Sequence, residues 1–255
     1  MSSQIELGLG IIGLGKPWGY VVSDVPPQRD ALGLLEFAYL TGIRYFDSAP
    51  SYGIAEERLG IFLRSLGSQQ RNELRIATKF GEHWDADRNS PFVDHSYDAL
   101  CRSLDRSLEH LQRIDILQLH KTTPETLRSR DLVRAWDYAA SLGITRIGAS
   151  VSDPGSAEIV IGEPRYGCIQ LPLNRANATF AEVADKASAR GMWVAANRPF
   201  GMGAMLYGEH PVPHREAFQF VLDRAFTGVV LTGTRSKGHL AENWEAFQSA
   251  RRSVI

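Results

Sequence analysis

The 255-residue sequence contains only two cysteines, Cys101 and Cys168. They offer neither a disulfide framework nor the spacing of a metal site. Both fall in segments that read as buried helix or strand, where a thiol packs as a small hydrophobe. Charge of one sign is also missing: 28 Lys and Arg against 29 Asp and Glu leave a formal net charge of −1. No basic field of the kind nucleic-acid binding needs is present. No apolar run is long enough to span a bilayer. The N-terminal Met1-Ser2-Ser3-Gln4-Ile5-Glu6 lacks the positive and apolar regions of a secretory signal. Linkers, composition shifts and low-complexity stretches are absent. The expectation is a cytoplasmic protein of one domain over residues 1–255, without nucleic-acid, membrane or metal partners. Nothing marks an interface, so the oligomeric state stays open.

What is present is an alternation. Apolar runs at 7–14, 43–46, 74–78, 114–119, 144–149, 168–171, 192–196 and 228–231 read as strands. They are apolar throughout rather than alternating, as parallel strands covered on both faces should be. Helical patterns follow nearly every one, at 27–41, 55–66, 96–111, 124–142, 156–161, 179–190, 215–226 and 239–250. A glycine stands between helix and strand at Gly42, Gly143, Gly191 and Gly228, the usual helix stop. Residues 82–91 read as a long polar loop carrying Trp84. Eight such units in this length suit a (β/α)8 TIM barrel better than a doubly wound sheet. Gly8-Leu9-Gly10-Ile11-Ile12-Gly13 satisfies a dinucleotide fingerprint, but Pro17 and Gly19 follow where a helix should open. A first barrel strand with close-packed glycines is the better reading.

Four polar residues end strands or begin the loops after them: Asp47, Tyr52, Lys79 and His120. Singly each is ordinary: a turn aspartate, a packed tyrosine, a solvated lysine, a structural histidine. On successive strands of a barrel they would meet at one mouth, the C-terminal face where such barrels carry their chemistry.

The stretch Gly42-Ile43-Arg44-Tyr45-Phe46-Asp47-Ser48-Ala49-Pro50-Ser51-Tyr52-Gly53 resembles the aldo-keto reductase family. So do Glu56-Glu57-Arg58-Leu59-Gly60, Ala77-Thr78-Lys79-Phe80-Gly81 and Leu117-Gln118-Leu119-His120. The resemblance implies a barrel that binds NAD(P)H without a Rossmann domain and reversibly reduces an aldehyde or ketone to an alcohol. Tyr52 would be the general acid/base. Its free phenol has a pKa of about 10, and a neighbouring Lys79 cation would lower it. Asp47 would hold Lys79 as an ion pair, and neutral His120 would orient the carbonyl.

The same resemblance places the cofactor. Ser150 and Gln170 match positions that bond the nicotinamide carboxamide. Val151 stands where an asparagine is usual, a departure that some branches pair with a Gln-x-Pro-x-Asn such as Gln170-Leu171-Pro172-Leu173-Asn174. Arg198, Pro199, Phe200 and Gly201 match a loop along the pyrophosphate. Thr234, Arg235 and Ser236 would grip a 2′-phosphate, with Glu242 and Asn243 near the adenine. The lysine and arginine that many NADP-preferring members carry are here Gly233 and His239. Arg235 makes NADP the first choice, with NAD as the alternative. Trp18 and Trp84 would line the substrate pocket. The chain looks shortened at its C-terminal segment relative to the family, which would leave that pocket open. Competing readings are an NAD-dependent sugar or polyol dehydrogenase, a non-catalytic barrel that senses nicotinamide, and a Schiff-base aldolase using Lys79.

Overall fold

Alternate residues of a strand point to opposite faces, so a closed parallel barrel sorts each strand into an inner and an outer set. The computed structural model of the chain, which describes residues 5–20, 22, 24–224 and 226–253, shows this arrangement. Eight parallel strands close in the order β1 (Ile5–Gly10), β10 (Gly228–Thr232), β9 (Trp193–Asn197), β8 (Cys168–Pro172), β7 (Ile147–Ser150), β6 (Ile116–Leu119), β3 (Arg75–Phe80) and β2 (Tyr45–Asp47). Outside them run α1 (Gln28–Thr41), α2 (Ala55–Ser65), the short α3 (Ser68–Asn72), α4 (Tyr97–Leu111), α5 (Arg130–Ser141), α6 (Pro154–Gly162), α7 (Thr179–Ala189), α8 (Ala204–Tyr207), α9 (His214–Leu222) and α10 (Lys237–Arg252).

Outward residues such as Phe46, Ile76, Leu117 and Val194 pack with Leu35, Leu59, Leu104 and Val183 of the helices into one apolar shell. Inward residues Tyr45, Ala77, Ile116, Cys168, Ala195 and Val229 fill the barrel and form a second, smaller cluster. Two residues further along the same inner faces stand Asp47, Lys79, Gln118, Gln170 and Asn197. The interior therefore turns from apolar to polar at the C-terminal end of the strands.

The glycines divide by cause. Gly42 closes α1 with a left-handed φ of 113°, as expected of a helix stop. Gly228 does not act this way. It lies inside β10, and a Cβ there would stand 1.9 Å from the Val194 carbonyl oxygen, so close strand approach explains it. Gly8 is likewise a packing glycine, since a Cβ would come within 2.6 Å of Val229 Cγ2. β1 ends at Gly10, and a single 3-10 turn (Ile12–Leu14) follows it in place of the longer expected strand.

Two further expectations change. Residues 82–93 are an antiparallel hairpin, β4 (Glu82–Asp85) with β5 (Ser90–Val93), rather than a loop. The helix expected over 124–142 is broken at Ser129, whose hydroxyl accepts from the Leu132 amide and starts α5. Cys168 is fully buried, while Cys101 is half-buried.

Candidate active site

β2 delivers Asp47 and β3 delivers Lys79 to adjacent positions at the barrel mouth. Lys79 Nζ donates to Asp47 Oδ1 at 2.7 Å and to the Ser48 carbonyl at 2.8 Å. Both side chains are almost wholly buried. Burial by itself pulls the Lys79 pKa down, but Asp47 and Tyr52 outweigh it and hold the ammonium above the free-lysine value. The second Asp47 oxygen, Oδ2, has no partner.

Tyr52 comes from the turn between β2 and α2. The turn is held against the segment after β1 by two glycines facing each other. A Cβ on Gly15 would lie 1.8 Å from the Tyr52 carbonyl oxygen, and one on Gly53 would lie 2.3 Å from the Gly15 carbonyl oxygen. The buried Arg58 adds a 2.5 Å bond to the Leu14 carbonyl. Replacing Gly15 by Ala must displace the tyrosine. We expect Gly15→Ala to cost about 1–3 kcal/mol in urea unfolding and to reduce turnover at least tenfold. Wild-type values for both would show the turn to be adaptable.

The Tyr52 ring lies 5.2 Å from Lys79 Nζ, and the His120 ring stands edge-on to it with centroids 6.1 Å apart. Burial raises the Tyr52 pKa; Lys79 pulls it down, as expected, but by less. The phenol is thus held protonated at neutral pH. His120 is pushed well below the ordinary histidine value, first by burial and then by Lys79, Lys121 and Lys16, so its ring is neutral.

Sequence reasoning missed Glu82. It opens β4 directly after Gly81 and is buried. Its Oε2 accepts from Ser51 Oγ at 2.7 Å and lies 3.1 Å from His120 Nδ1, while Oε1 pairs with Lys121 Nζ at 3.3 Å. The partners come from two separate turns, after β2 and after β6, so no local motif could have announced the cluster.

A cavity of about 680 Å³ opens above these groups, within the range of small-molecule and cofactor sites. Asp47, Tyr52, Lys79, His120, Ser150, Gln170, Arg198, Pro199, Phe200, Thr234, Arg235, Ser236, Asn243 and Trp18 all line it. Glu242 and Trp84 do not. Glu242 is on the exposed side of α10, and Trp84 stands behind Lys16. Gly201 shapes the loop through a left-handed φ of 57°. That loop is tied to β8 because Asn174 Nδ2 donates to the Arg198 carbonyl at 3.0 Å. It carries α8, and Tyr207 stacks on Tyr20 across the cavity at 6.2 Å. Arg235 Nη1 donates to the Asp24 carbonyl at 3.2 Å, and Ser236 caps α10. A wider groove of about 980 Å³ between α1 and α2 holds none of the four mouth residues.

The lining fits a polar planar ring. Buried Gln170 Oε1, Asn197 Oδ1 and Thr232 Oγ1 face the cavity region without partners, and such orphans are expensive unless something binds them. Among the described residues no three His, Cys, Asp or Glu side chains gather as a metal set. Among them too, no helix is long and apolar enough to cross a membrane.

Behind the mouth, Glu56 of α2 is buried with Oε1 bonded to Thr78 and Oε2 accepting from Ser107 at 3.0 Å. Burial pushes its pKa up from 4.5 to about 7, against the pull of those hydroxyls and Lys79. The folded state therefore holds a proton that the unfolded state releases between pH 4.5 and about 7. Stability from this group falls as pH rises through that window, by about 3 kcal/mol. His120 acts in the opposite sense: below pH 6.5 the unfolded chain takes up a proton that the buried ring refuses. Urea unfolding at about pH 5 and about pH 8 should show wild type losing about 3 kcal/mol relative to Glu56→Gln. Parallel profiles for the two proteins would contradict it.

An eight-stranded parallel barrel with a buried Lys–Asp pair, a tyrosine and a neutral histidine at its C-terminal mouth defines a class of barrel oxidoreductase. The model of the Aldo/keto reductase family matches residues 6–218, and the chain belongs to that family. Its members use nicotinamide cofactors on small-molecule carbonyl substrates. The chain is 28% identical to D-threo-aldose 1-dehydrogenase of a Pseudomonas species, over 94% of this chain and 88% of that one. It is 26% identical to L-galactose dehydrogenase of Arabidopsis thaliana over 78% of its own length, and spans 62% of that relative. A solved Pseudomonas aeruginosa chain assigned to the aldo-keto reductases superposes with a TM-score of 0.80 at 26% identity, covering 96% of this chain and 89% of that one.

Proposed function

We propose that the chain reversibly reduces an aldehyde or ketone to an alcohol with NADP(H), Tyr52 acting as general acid and base. The observation that carries this reading is the grouping at the mouth: Lys79 Nζ bonded to Asp47 at 2.7 Å and 5.2 Å from the Tyr52 ring, with neutral His120 edge-on to that ring. The nicotinamide, when bound, supplies or accepts the hydride. The chain's own residues do the rest. Gln170, Ser150 and Asn197 offer polar contacts that orient the ring. His120, unable to hold a proton at neutral pH, offers one ring nitrogen as a donor to a carbonyl oxygen. Tyr52 gives that oxygen its proton, and Lys79 stabilises the phenolate left behind. Asp47 keeps Lys79 protonated and fixed, which disfavours a Schiff base.

The raised Tyr52 pKa bears on direction. Reduction needs the phenol protonated, its state at neutral pH; oxidation needs the phenolate. Alcohol oxidation should therefore accelerate as pH rises toward the raised pKa of the phenol. Arg235, Thr234 and Ser236 at the N-terminus of α10 suit a 2′-phosphate. The names of two relatives, both dehydrogenases of sugars, favour the sugar dehydrogenase as a second reading. Titration with NADPH and separately with NADH, followed by quenching of tryptophan fluorescence, tests the cofactor. Tighter NADPH binding is expected, and equal or tighter NADH binding would overturn the preference.

A further inference from the structure

Lys16 stands at the tyrosine side of the cavity and none of the roles above uses it. Its Nζ lies 5.6 Å from the Trp84 ring centroid, 5.7 Å from that of Tyr52 and 5.9 Å from that of Trp18. The side chain is half-buried and lines the cavity. Among the described residues no carboxylate comes within ion-pair distance of it. Glu82, whose charge acts on Lys16, is already shared between Ser51, His120 and Lys121. Asp47 is matched by Lys79. The tyrosine side of the mouth therefore holds two ammonium groups, Lys16 and Lys121, against the single carboxylate of Glu82.

Three aromatic rings around a lysine steady the cation. A charge held in this way is prepared for an anion, because little side-chain entropy is lost when one arrives. Burial lowers the Lys16 pKa, and Glu82 works against that fall. Lys16 also sits beside the hydroxyl-bearing ring that would protonate the carbonyl, so an anion held there would lie next to the reacting group.

We propose that Lys16 determines specificity by binding the carboxylate of the substrate, so that the substrates are carbonyl compounds carrying an anionic group a few bonds from the reacting carbon. This rests on the reductase reading given above. Lys16 is a binding residue in it and takes no part in proton transfer.

The test compares 4-carboxybenzaldehyde with its methyl ester, which share the aldehyde and ring and differ in charge. With NADPH, wild type should favour the acid in kcat/KM by at least about tenfold, the scale of one charge-assisted bond. The preference should sit mainly in KM. It should fall to near parity in Lys16→Met and Lys16→Gln and persist in Lys16→Arg. Parity in wild type, or an equal loss for both aldehydes in the variants, would overturn the assignment. If neither aldehyde is turned over with NADPH or NADH, the reductase reading fails, and terephthalate titration decides the subsite alone. Trp18 and Trp84 flank Lys16, so saturable quenching in wild type and Lys16→Arg, lost in Lys16→Met, would uphold it. Indifference to the substitution would reject it.

Discussion

Tyr52→Phe should remove carbonyl reduction while leaving the protein folded and able to bind cofactor. The phenylalanine keeps the ring that faces Lys79 at 5.2 Å, Lys16 at 5.7 Å and His120 at 6.1 Å. It also keeps the turn seated between Gly15 and Gly53. What disappears is the hydroxyl proton. General acid catalysis of this kind contributes about 10²–10⁴-fold, and the loss in kcat should reach about a thousandfold. His120 cannot substitute, because burial and three lysines keep it neutral. Steady-state reduction of an aldehyde, alongside NADPH titration, reads both quantities. Turnover within tenfold of wild type would remove Tyr52 from its role.

Lys79→Met should damage stability and chemistry together. Lys79 and Asp47 are buried at 1% and 4% side-chain exposure, and Asp47 Oδ2 is already without a partner. Removing the ammonium leaves a carboxylate with nothing to neutralise it. Breaking a buried pair from one side costs about 3–5 kcal/mol, which for a chain of this size is a Tm loss on the order of 10 °C. Adding Asp47→Leu to Lys79→Met removes the stranded charge and should recover much of the loss, since an apolar pair tolerates burial. Activity should stay absent in the double variant, because no cation remains to stabilise the Tyr52 phenolate. Calorimetry on the three proteins checks this. A double variant less stable than Lys79→Met would mean that the cost lies in packing rather than in charge.

Legibility in the sequence followed how local each cause was. Asp47, Lys79 and His120 could be found because apolar runs make buried strands, and a polar residue at the end of such a run has to sit at the mouth. The break at Ser129 was missed because a continuing apolar pattern hid a side-chain cap. The β4–β5 hairpin was missed because His83, Trp84 and Asp85 alternate too briefly to stand out, and Phe92 supports them only through pairing with His83. Gly228 looked like Gly42, since a helix stop and a strand approach use the same residue; only the Val194 carbonyl separates them. Glu82 and Lys16 were invisible for a related reason. Each matters through partners distant in the chain, and neither carries a motif. The direction of the Tyr52 pKa also needed the structure, because two opposing effects, burial and Lys79, had to be weighed.

The most direct measurement is transfer of label. The protein is incubated with NADPH deuterated at the transferable position and an aldehyde, and the alcohol is analysed by mass spectrometry. One deuterium on the carbinol carbon, formed by wild type and not by Tyr52→Phe, is the expected result. Bound cofactor with no labelled alcohol, across charged and neutral aldehydes alike, would contradict the account and turn attention to a barrel that binds nicotinamide without reducing anything.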